Sequence, residues 1–385
     1  MPPFDGSVMR TKPGGLSGTH SSAIVVMEQL RRNFPFSKAV IVSPDASNSF
    51  FNGVQYSNDM ALLSEAFVLI LPVSHQIPVE VDRLPRVKLL IFISQTYIVE
   101  ASHASLESLI KVNNASIGMV YLNRWCEKYL RQSSSEKLLL FSFFDHIPNP
   151  MPSDVLPSID DVAASFKSHR DPGSIGFFAS YERGGHIAER VFCSVKNIIQ
   201  NSSYHIATYV HTGKQPDCEP TINHGGLSKK ELYNVMLQTR LFLYPLKLPQ
   251  GHAFHKDMHP LCVTEALACG MTVITYPQSA MVETFGDAVR WAPVPDQIKA
   301  LIQDTNFHVD LSIMNNEEHI QNLTHFVASQ LQENDYASGN LENAIQIRKK
   351  YGSDTVGRQW HQFLSWAILS FTNYSFQNSS LDRHF

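Results

Sequence analysis

The sequence predicts an α/β protein built on two parallel-sheet domains. Three observations carry this expectation. The runs Lys38 to Pro44 (KAVIVSP), Phe67 to Pro72 (FVLILP) and Val87 to Ser94 (VKLLIFIS) are almost continuously apolar, as strands covered on both faces of a parallel sheet are. Helical patterns lie between and after them. At 385 residues, the chain is long enough for two domains at ~100–200 residues each.

Hydrophobic residues make up 43% of the chain and charged residues 17%, the balance of a globular protein and not of a disordered or fibrous one. A formal net charge of −4 offers no basic footprint for nucleic acid, which needs clustered Lys and Arg. No apolar run approaches the ~20 residues of a membrane span, so no transmembrane segment is expected. Residues 1–15 (MPPFDGSVMRTKPGG) hold no apolar leader core. Cys126, Cys193, Cys218, Cys262 and Cys269 are scattered, odd in number and without a CxxC pair. That argues against a zinc site or disulfide framework and fits a reducing, cytoplasmic compartment.

In chain order, Pro13-Gly14-Gly15-Leu16-Ser17-Gly18-Thr19-His20 precedes an amphipathic pattern over Ala23 to Leu30, with Ile24, Val26, Met27 and Leu30 apolar. A glycine-rich loop opening a helix suits an anion; a purely structural turn is the alternative. An apolar strand ahead of this loop is barely visible in residues 1–12. After the three apolar runs come a helix over Ser102 to Lys111, a strand at Met119 to Leu122, a helix over Cys126 to Arg131, and a run from Lys137 to Phe144 before Ile147-Pro148-Asn149-Pro150. Residues 153–172 are polar and proline-bearing and read as a linker between domains over 1–152 and 173–350. Asp160-Asp161 reads as part of that linker before it reads as a metal-binding pair.

Ser174 to Ser180 (SIGFFAS) opens the second sheet, followed by Tyr181-Glu182-Arg183-Gly184-Gly185 and a helix over Ile187 to Ile199. Tyr204 to Val210 is the next strand. Ser228, with Glu231 three residues on, forms a capping box for a helix over Lys229 to Gln238, ahead of the strand Leu241 to Pro245.

The stretch from His255 to Pro295 carries the chemistry. Pro260, then Leu261, Val263, Ala266, Leu267 and Ala268, reads as a short helix with Pro in its first turn. Gly270 suits the position just past the helix end, and Met271 to Tyr276 reads as a buried parallel strand. Asp257 and Glu265 are eight residues apart and fall on different structure, loop and helix. The amides of His259 to Val263 are expected to point out of the helix N-terminus between them. Such a mouth offers acceptors for hydroxyls and donors for phosphate oxygens. His252, His255 and His259 cluster beside Asp257, but a loop with glycine and proline does not aim them as zinc ligands are aimed; no metal is expected. Beyond Pro295, Asp296 to Asp304, Met314 to Gln332 and Leu341 to Lys349 look helical. Asp354 to Ile368 is amphipathic through Val356, Trp360, Phe363, Leu364 and Ile368, and a polar, mobile tail is expected from Thr372.

Asp257-x7-Glu265, Ala266-Leu267-Ala268-Cys269-Gly270, Val273-Ile274-Thr275 and Glu283 together resemble the nucleotide-sugar site of GT-B glycosyltransferases, above all the retaining family-four group. Two departures stand out: the first acid is Asp where the family has Glu, and Met258-His259-Pro260 replaces Gly-Phe-Gly. The resemblance implies a GT-B fold, with two Rossmann-like parallel-sheet domains facing a cleft and a C-terminal helix, in 351–385, crossing back to the N-terminal domain. It is strongest from 174 to 295.

What the resemblance implies for function is transfer of a hexosyl or pentosyl group from a UDP- or GDP-linked nucleotide sugar to an acceptor hydroxyl, with retention and without metal or cofactor. The acceptor would be a glycan, a glycoprotein or a small molecule. Glu265 would hold the ribose hydroxyls, Asp257 the donor-sugar hydroxyls, and Arg183 with the helix N-terminus at His259, Pro260, Leu261 and Cys262 the diphosphate. Gly14, Gly15 and Gly184 would let backbone approach the donor, main chain at Gly226 and Leu227 would face the base, and His20, Gln95 and His103 would lie on the acceptor side. Two other readings remain open: a catalytically inactive binding or scaffold protein of the same fold, and a nucleotide-sugar 2-epimerase.

Overall fold

Runs of apolar residues become parallel strands in the computed structural model, which describes residues 6–11, 18–35, 37–73, 86–94, 107, 110–111, 115–133, 141–168, 170–208, 218–245, 259–277, 280–294 and 316–381. The elements begin with α1 (Gly6–Thr11), α2 (Gly18–Asn33), β1 (Ala39–Val42), β2 (Ser49–Phe51) and β3 (Val54–Ser57). Next come β4 (Val68–Val73), β5 (Leu89–Ser94), β6 (Ser116–Tyr121), α3 (Arg124–Ser133) and β7 (Phe143–His146). The chain continues through α4 (Ile159–Ser168), β8 (Asp171–Phe177), α5 (Gly185–Ile198), β9 (Ser203–Ile206), β10 (Thr221–Asn223), α6 (Lys229–Gln238) and β11 (Thr239–Tyr244). It closes with α7 (Leu261–Ala268), β12 (Thr272–Thr275), α8 (Met281–Phe285), β13 (Arg290–Trp291), α9 (Glu317–Gln332), α10 (Tyr336–Tyr351) and α11 (Ser353–Leu381).

Two compact units divide the chain: Met1–Gly6, Ser22–Pro150 and Ser353–Phe385 form one, and Ser7–Ser21 with Met151–Gly352 the other. In the first unit, β4, β5, β6 and β7 pair in sequence order, all parallel. Leu90, Ile91, Ile117, Met119 and Val120 are fully buried there, which is why these runs show no polar alternation. A separate three-stranded sheet has the order β1-β3-β2. Its β2–β3 pair is an antiparallel hairpin turned by Asn52 and Gly53, both at positive φ (49° and 83°), as a two-residue primed turn requires. The apolar face of α11 packs in this unit: Trp360 and Phe363 are buried, Trp366 meets Phe143 edge-on at 5.0 Å, and Asp354 accepts from Gln29 at 3.3 Å.

The second unit carries one six-stranded sheet in the order β10-β9-β8-β11-β12-β13, every pairing parallel. Leu241 of β11 lies opposite Ile175 of β8 on one side and Thr272 of β12 on the other. Counted from β8, the first strand of this sheet, the order is 3-2-1-4-5-6. A doubly wound sheet of this kind reverses direction between its first and fourth strands, and ligands bind outside the carboxyl ends there.

Four features depart from the sequence reading. Residues 6–11 are helical, with the guanidinium of Arg10 donating to Asp154 at 2.6 Å. The proline-bearing segment taken as linker contains α4, whose Val162 and Ser165 are buried and whose first turn is fixed by Ser158 and Asp161 exchanging hydrogen bonds. Cys193 of α5 and Cys218, ahead of β10, form a disulfide with Cα atoms 5.5 Å apart, so the expectation of unpaired thiols is overturned for these two. The segment from Thr372, read as a mobile tail, continues α11 as far as Leu381. The patterns over Asp296 to Asp304 and most of Ser102 to Lys111 lie outside the described residues.

Candidate functional site

The turn between β8 and α5 is short because the chain must reverse from strand to helix within a few residues. Tyr181–Arg183 make one 3-10 turn, and Gly184, at φ 109°, is the residue on which α5 starts. A Cβ at Gly184 would stand 2.3 Å from the carbonyl oxygen of Pro245, which follows β11. Only glycine meets both demands, the left-handed backbone and the close approach. Arg183 reaches the end of β11, its Nη1 3.4 Å from the phenol oxygen of Tyr244. Arg183, Gly184, Tyr244 and Pro245 therefore meet where the strand order reverses. Beside them, Tyr181 donates to Glu189 at 2.6 Å; burial first, and then that carboxylate, push the Tyr181 hydroxyl's ionisation upward.

Helix α6 opens with the anticipated capping box: Ser228 Oγ accepts from the Glu231 amide, and the Glu231 carboxylate accepts from the Ser228 backbone. Gly226 and Leu227 lead into this cap and are half-buried, while the positive φ belongs to Gly225 (65°). His224, just before, shares a hydrogen bond with His205 of β9 at 3.1 Å. Burial, with His224 adding, holds His205 down at about 4.

Helix α7 lies between β11 and β12, with Pro260 at its N-cap and Gly270 just past its end at φ 72°. Its buried faces pack Val263, Ala266 and Leu267. Glu265 is also inside, its side chain only 2% exposed. A buried carboxylate is costly unless it is paired and hydrogen-bonded. Both conditions are met from α6: the Lys229 ammonium lies 2.6 Å from Glu265 Oε1, and the Tyr233 hydroxyl donates to the same oxygen at 3.0 Å. Oε2 has no hydrogen-bond partner among the described residues. Burial, then the Glu265 charge, raises the Tyr233 phenol well above its ordinary range, so it remains a donor.

The C-terminal end of α7 is clamped by two guanidiniums. Arg348 of α10 donates to the Ala268 carbonyl, and Arg170 donates to the carbonyls of Cys269 and Gly270. Cationic donors here satisfy orphan carbonyls and oppose the negative end of the helix dipole.

The remaining anticipated residues divide. His259 is buried, with its ring 4.6 Å from Tyr351 and 6.0 Å from Phe285, and Thr264 Oγ1 within 3.3 Å of its Nε2. Burial, with Lys350 adding, lowers it to about 3, so it is neutral. Leu261 is buried and Cys262 half-buried. The amides of Val263 and Thr264 both turn back to the Pro260 carbonyl, so the Val263 amide does not point out of the helix as anticipated. His20 is half-buried in the first turn of α2. Asp257, Gly14, Gly15, Gln95 and His103 lie outside the described residues, as do His252 and His255. Among the described residues, no group of three or more His, Cys, Asp or Glu could hold a metal ion.

Lys229 and Tyr233 were not singled out from the sequence. Their spacing of four on a capped helix puts them on one face, which is the only local signal. Their partner is 36 and 32 residues away, a pairing that no local pattern encodes.

No family model matches the chain, and no curated protein matches it. Solved structures do. The chain is similar to the GtfA/B complex at TM-score 0.50 and 14% identity, covering 77% of this chain and 56% of that one; it thus spans little more than half the length of that relative. It is similar over nearly the whole of both chains to a sucrose-phosphate synthase from Thermosynechococcus elongatus (TM-score 0.52, 11% identity, 90% and 93% covered). Anabaena HepE, solved in complex with UDP and glucose, is similar to the same degree (TM-score 0.52, 11% identity, 91% and 97% covered). No helix among the described residues is long and apolar enough to cross a membrane. With two α/β units, a 3-2-1-4-5-6 sheet in the second and a last helix that belongs to the first, the chain has the GT-B fold of these glycosyltransferases.

Proposed function

We propose that the protein is a glycosyltransferase that moves a hexosyl or pentosyl group from a UDP- or GDP-linked nucleotide sugar to an acceptor hydroxyl, with retention and without metal. The observation that carries this is the buried Glu265, held through one oxygen by Lys229 and Tyr233 in the unit whose strand order reverses beside Arg183. Glu265 takes the ribose hydroxyls. Arg183 and the turn at Gly184, at the start of α5, take the diphosphate, since a guanidinium pairs two phosphate oxygens at once and a helix N-terminus favours negative charge. Asp257 takes hydroxyls of the donor sugar. Charge builds on the departing diphosphate, so losing one donor aimed at it slows transfer by ~10²–10³; Arg183→Ala carries that expectation. The likeness to a chain solved with UDP and glucose supports a nucleotide-sugar donor. The acceptor is a glycan, a glycoprotein or a small molecule.

The test is thermal stability of wild type and Glu265→Gln with UDP, GDP and their sugar conjugates. A ligand at a hundredfold excess over its Kd stabilises by about 2.7 kcal/mol, so a clear rise in Tm is expected for one nucleotide class and its loss in the variant. A wild type that responds to none of them would leave a non-catalytic protein of the same fold.

A further inference from the structure

The pairing of Glu265 has an asymmetry that a merely structural ion pair does not need. Lys229 and Tyr233 both address Oε1, and neither addresses Oε2. They stand four residues apart on one face of α6, and α6 is anchored at its start by the Ser228–Glu231 box one residue before Lys229. The Lys229 side chain is 10% exposed and the Glu265 side chain 2%, so little water competes for this charge. Two fixed donors on one oxygen set the plane of the carboxylate and the direction of the other. Other titratable groups near the pair are Cys269, one turn along α7, whose thiol burial pushes up to about 12, and Asp154, which raises the Tyr233 phenol and is itself paired with Arg10. Neither side chain hydrogen-bonds to the Glu265 carboxylate; the Cys269 backbone amide meets only the Glu265 carbonyl, at 3.0 Å.

We propose that Lys229 and Tyr233 are positioning residues: they lock Glu265 through Oε1 so that Oε2 is presented to a vicinal diol, which makes the site selective for ribonucleoside diphosphates over nucleotides lacking the 2′ and 3′ hydroxyls. This rests on the donor site proposed above. A carboxylate without these two donors would be free to rotate and would hold the diol poorly. A hydrogen bond to a charged group contributes about 1.5–3 kcal/mol, which corresponds to roughly 10- to 150-fold in affinity at 1.36 kcal/mol per tenfold.

The experiment measures Kd for the diphosphates of uridine and guanosine and for their 2′,3′-dideoxy counterparts. The proteins are wild type, Lys229→Met, Lys229→Arg and Tyr233→Phe. Wild type is expected to prefer the ribonucleotide of one base at least ~10-fold. Lys229→Met should lower that preference several-fold by weakening only the ribonucleotide, Tyr233→Phe less so, and Lys229→Arg should keep most of it. Unchanged preference in Lys229→Met, or equal weakening of both ligands, overturns the inference while leaving the donor site standing. Wild type binding neither ribonucleotide overturns the donor reading and this inference with it. Should Lys229→Met not fold, Glu265→Gln and the double variant Lys229→Met/Glu265→Gln replace it. Equal affinities in those two proteins support a role exercised through Glu265, and a further loss of ribonucleotide affinity in the double variant refutes it.

Discussion

The guanidinium of Arg348 donates from both Nε and Nη2 to the carbonyl oxygen of Ala268, at 2.9 and 2.6 Å. Ala268 is the last residue of α7, the helix that carries Glu265 three residues earlier. The end of that helix is thus tied to α10 by a charged fork. Arg348→Ala is expected to destabilise the fold by about 2–3 kcal/mol, the loss of a charged hydrogen-bond donor at buried carbonyls, as read from urea denaturation. Arg348→Lys recovers only part, because an ammonium cannot reproduce the planar fork.

Gly184 faces the Pro245 carbonyl with no room for a side chain. Gly184→Ala is expected to cost about 1–3 kcal/mol from the left-handed backbone alone, and more once Pro245 must move. Circular dichroism and melting of the variant test this. A melting temperature equal to wild type would mean that the β8–α5 turn adapts freely.

The Cys193–Cys218 disulfide closes a loop of 25 residues. Loop-closure entropy puts its contribution at about 3.5 kcal/mol, so melting in reductant should fall below melting without it, and Cys193→Ala should remove the difference. Thiol titration of the unfolded, unreduced chain should count Cys126, Cys262 and Cys269 and rise by two on reduction.

His259 is neutral in the folded chain, held at about 3 by burial and by Lys350, against an ordinary value of 6.5. Between those values the unfolded chain takes up a proton that the folded chain refuses. Its contribution is therefore complete above pH 6.5 and is lost progressively as pH falls toward 3. His205, held at about 4 by burial and His224, acts in the same direction over a narrower window. A stability profile from pH 8 to pH 4 should slope downward toward acid. His259→Gln should flatten part of that slope, although it lowers stability at pH 8.

Local features of this chain are legible residue by residue. Apolar runs mark β5 and β11 because strands buried on both faces need no polar residues. The Ser228–Glu231 box places the start of α6 because capping acts within four residues. Pro260 and Gly270 bracket α7 for the same reason. Asn52-Gly53 also announces the β2–β3 hairpin, although a reading built on apolar runs passes over it. Prolines misled where they flank an element: residues 153–172 read as linker, yet α4 forms between Pro157 and Pro172 because its apolar face finds the second unit's core.

What the sequence by itself determined is the class of fold, the alternation of strands and helices, and the place of Glu265 on a short helix between two strands. These follow from periodicity and from capping, which depend on near neighbours. Only the tertiary structure decided that Lys229 and Tyr233 meet Glu265, that Cys193 meets Cys218, and that Arg170 and Arg348 close the end of α7. Each of these joins groups far apart in the chain. They come together because a buried charge or carbonyl must find a partner, and packing alone selects which partner is within reach.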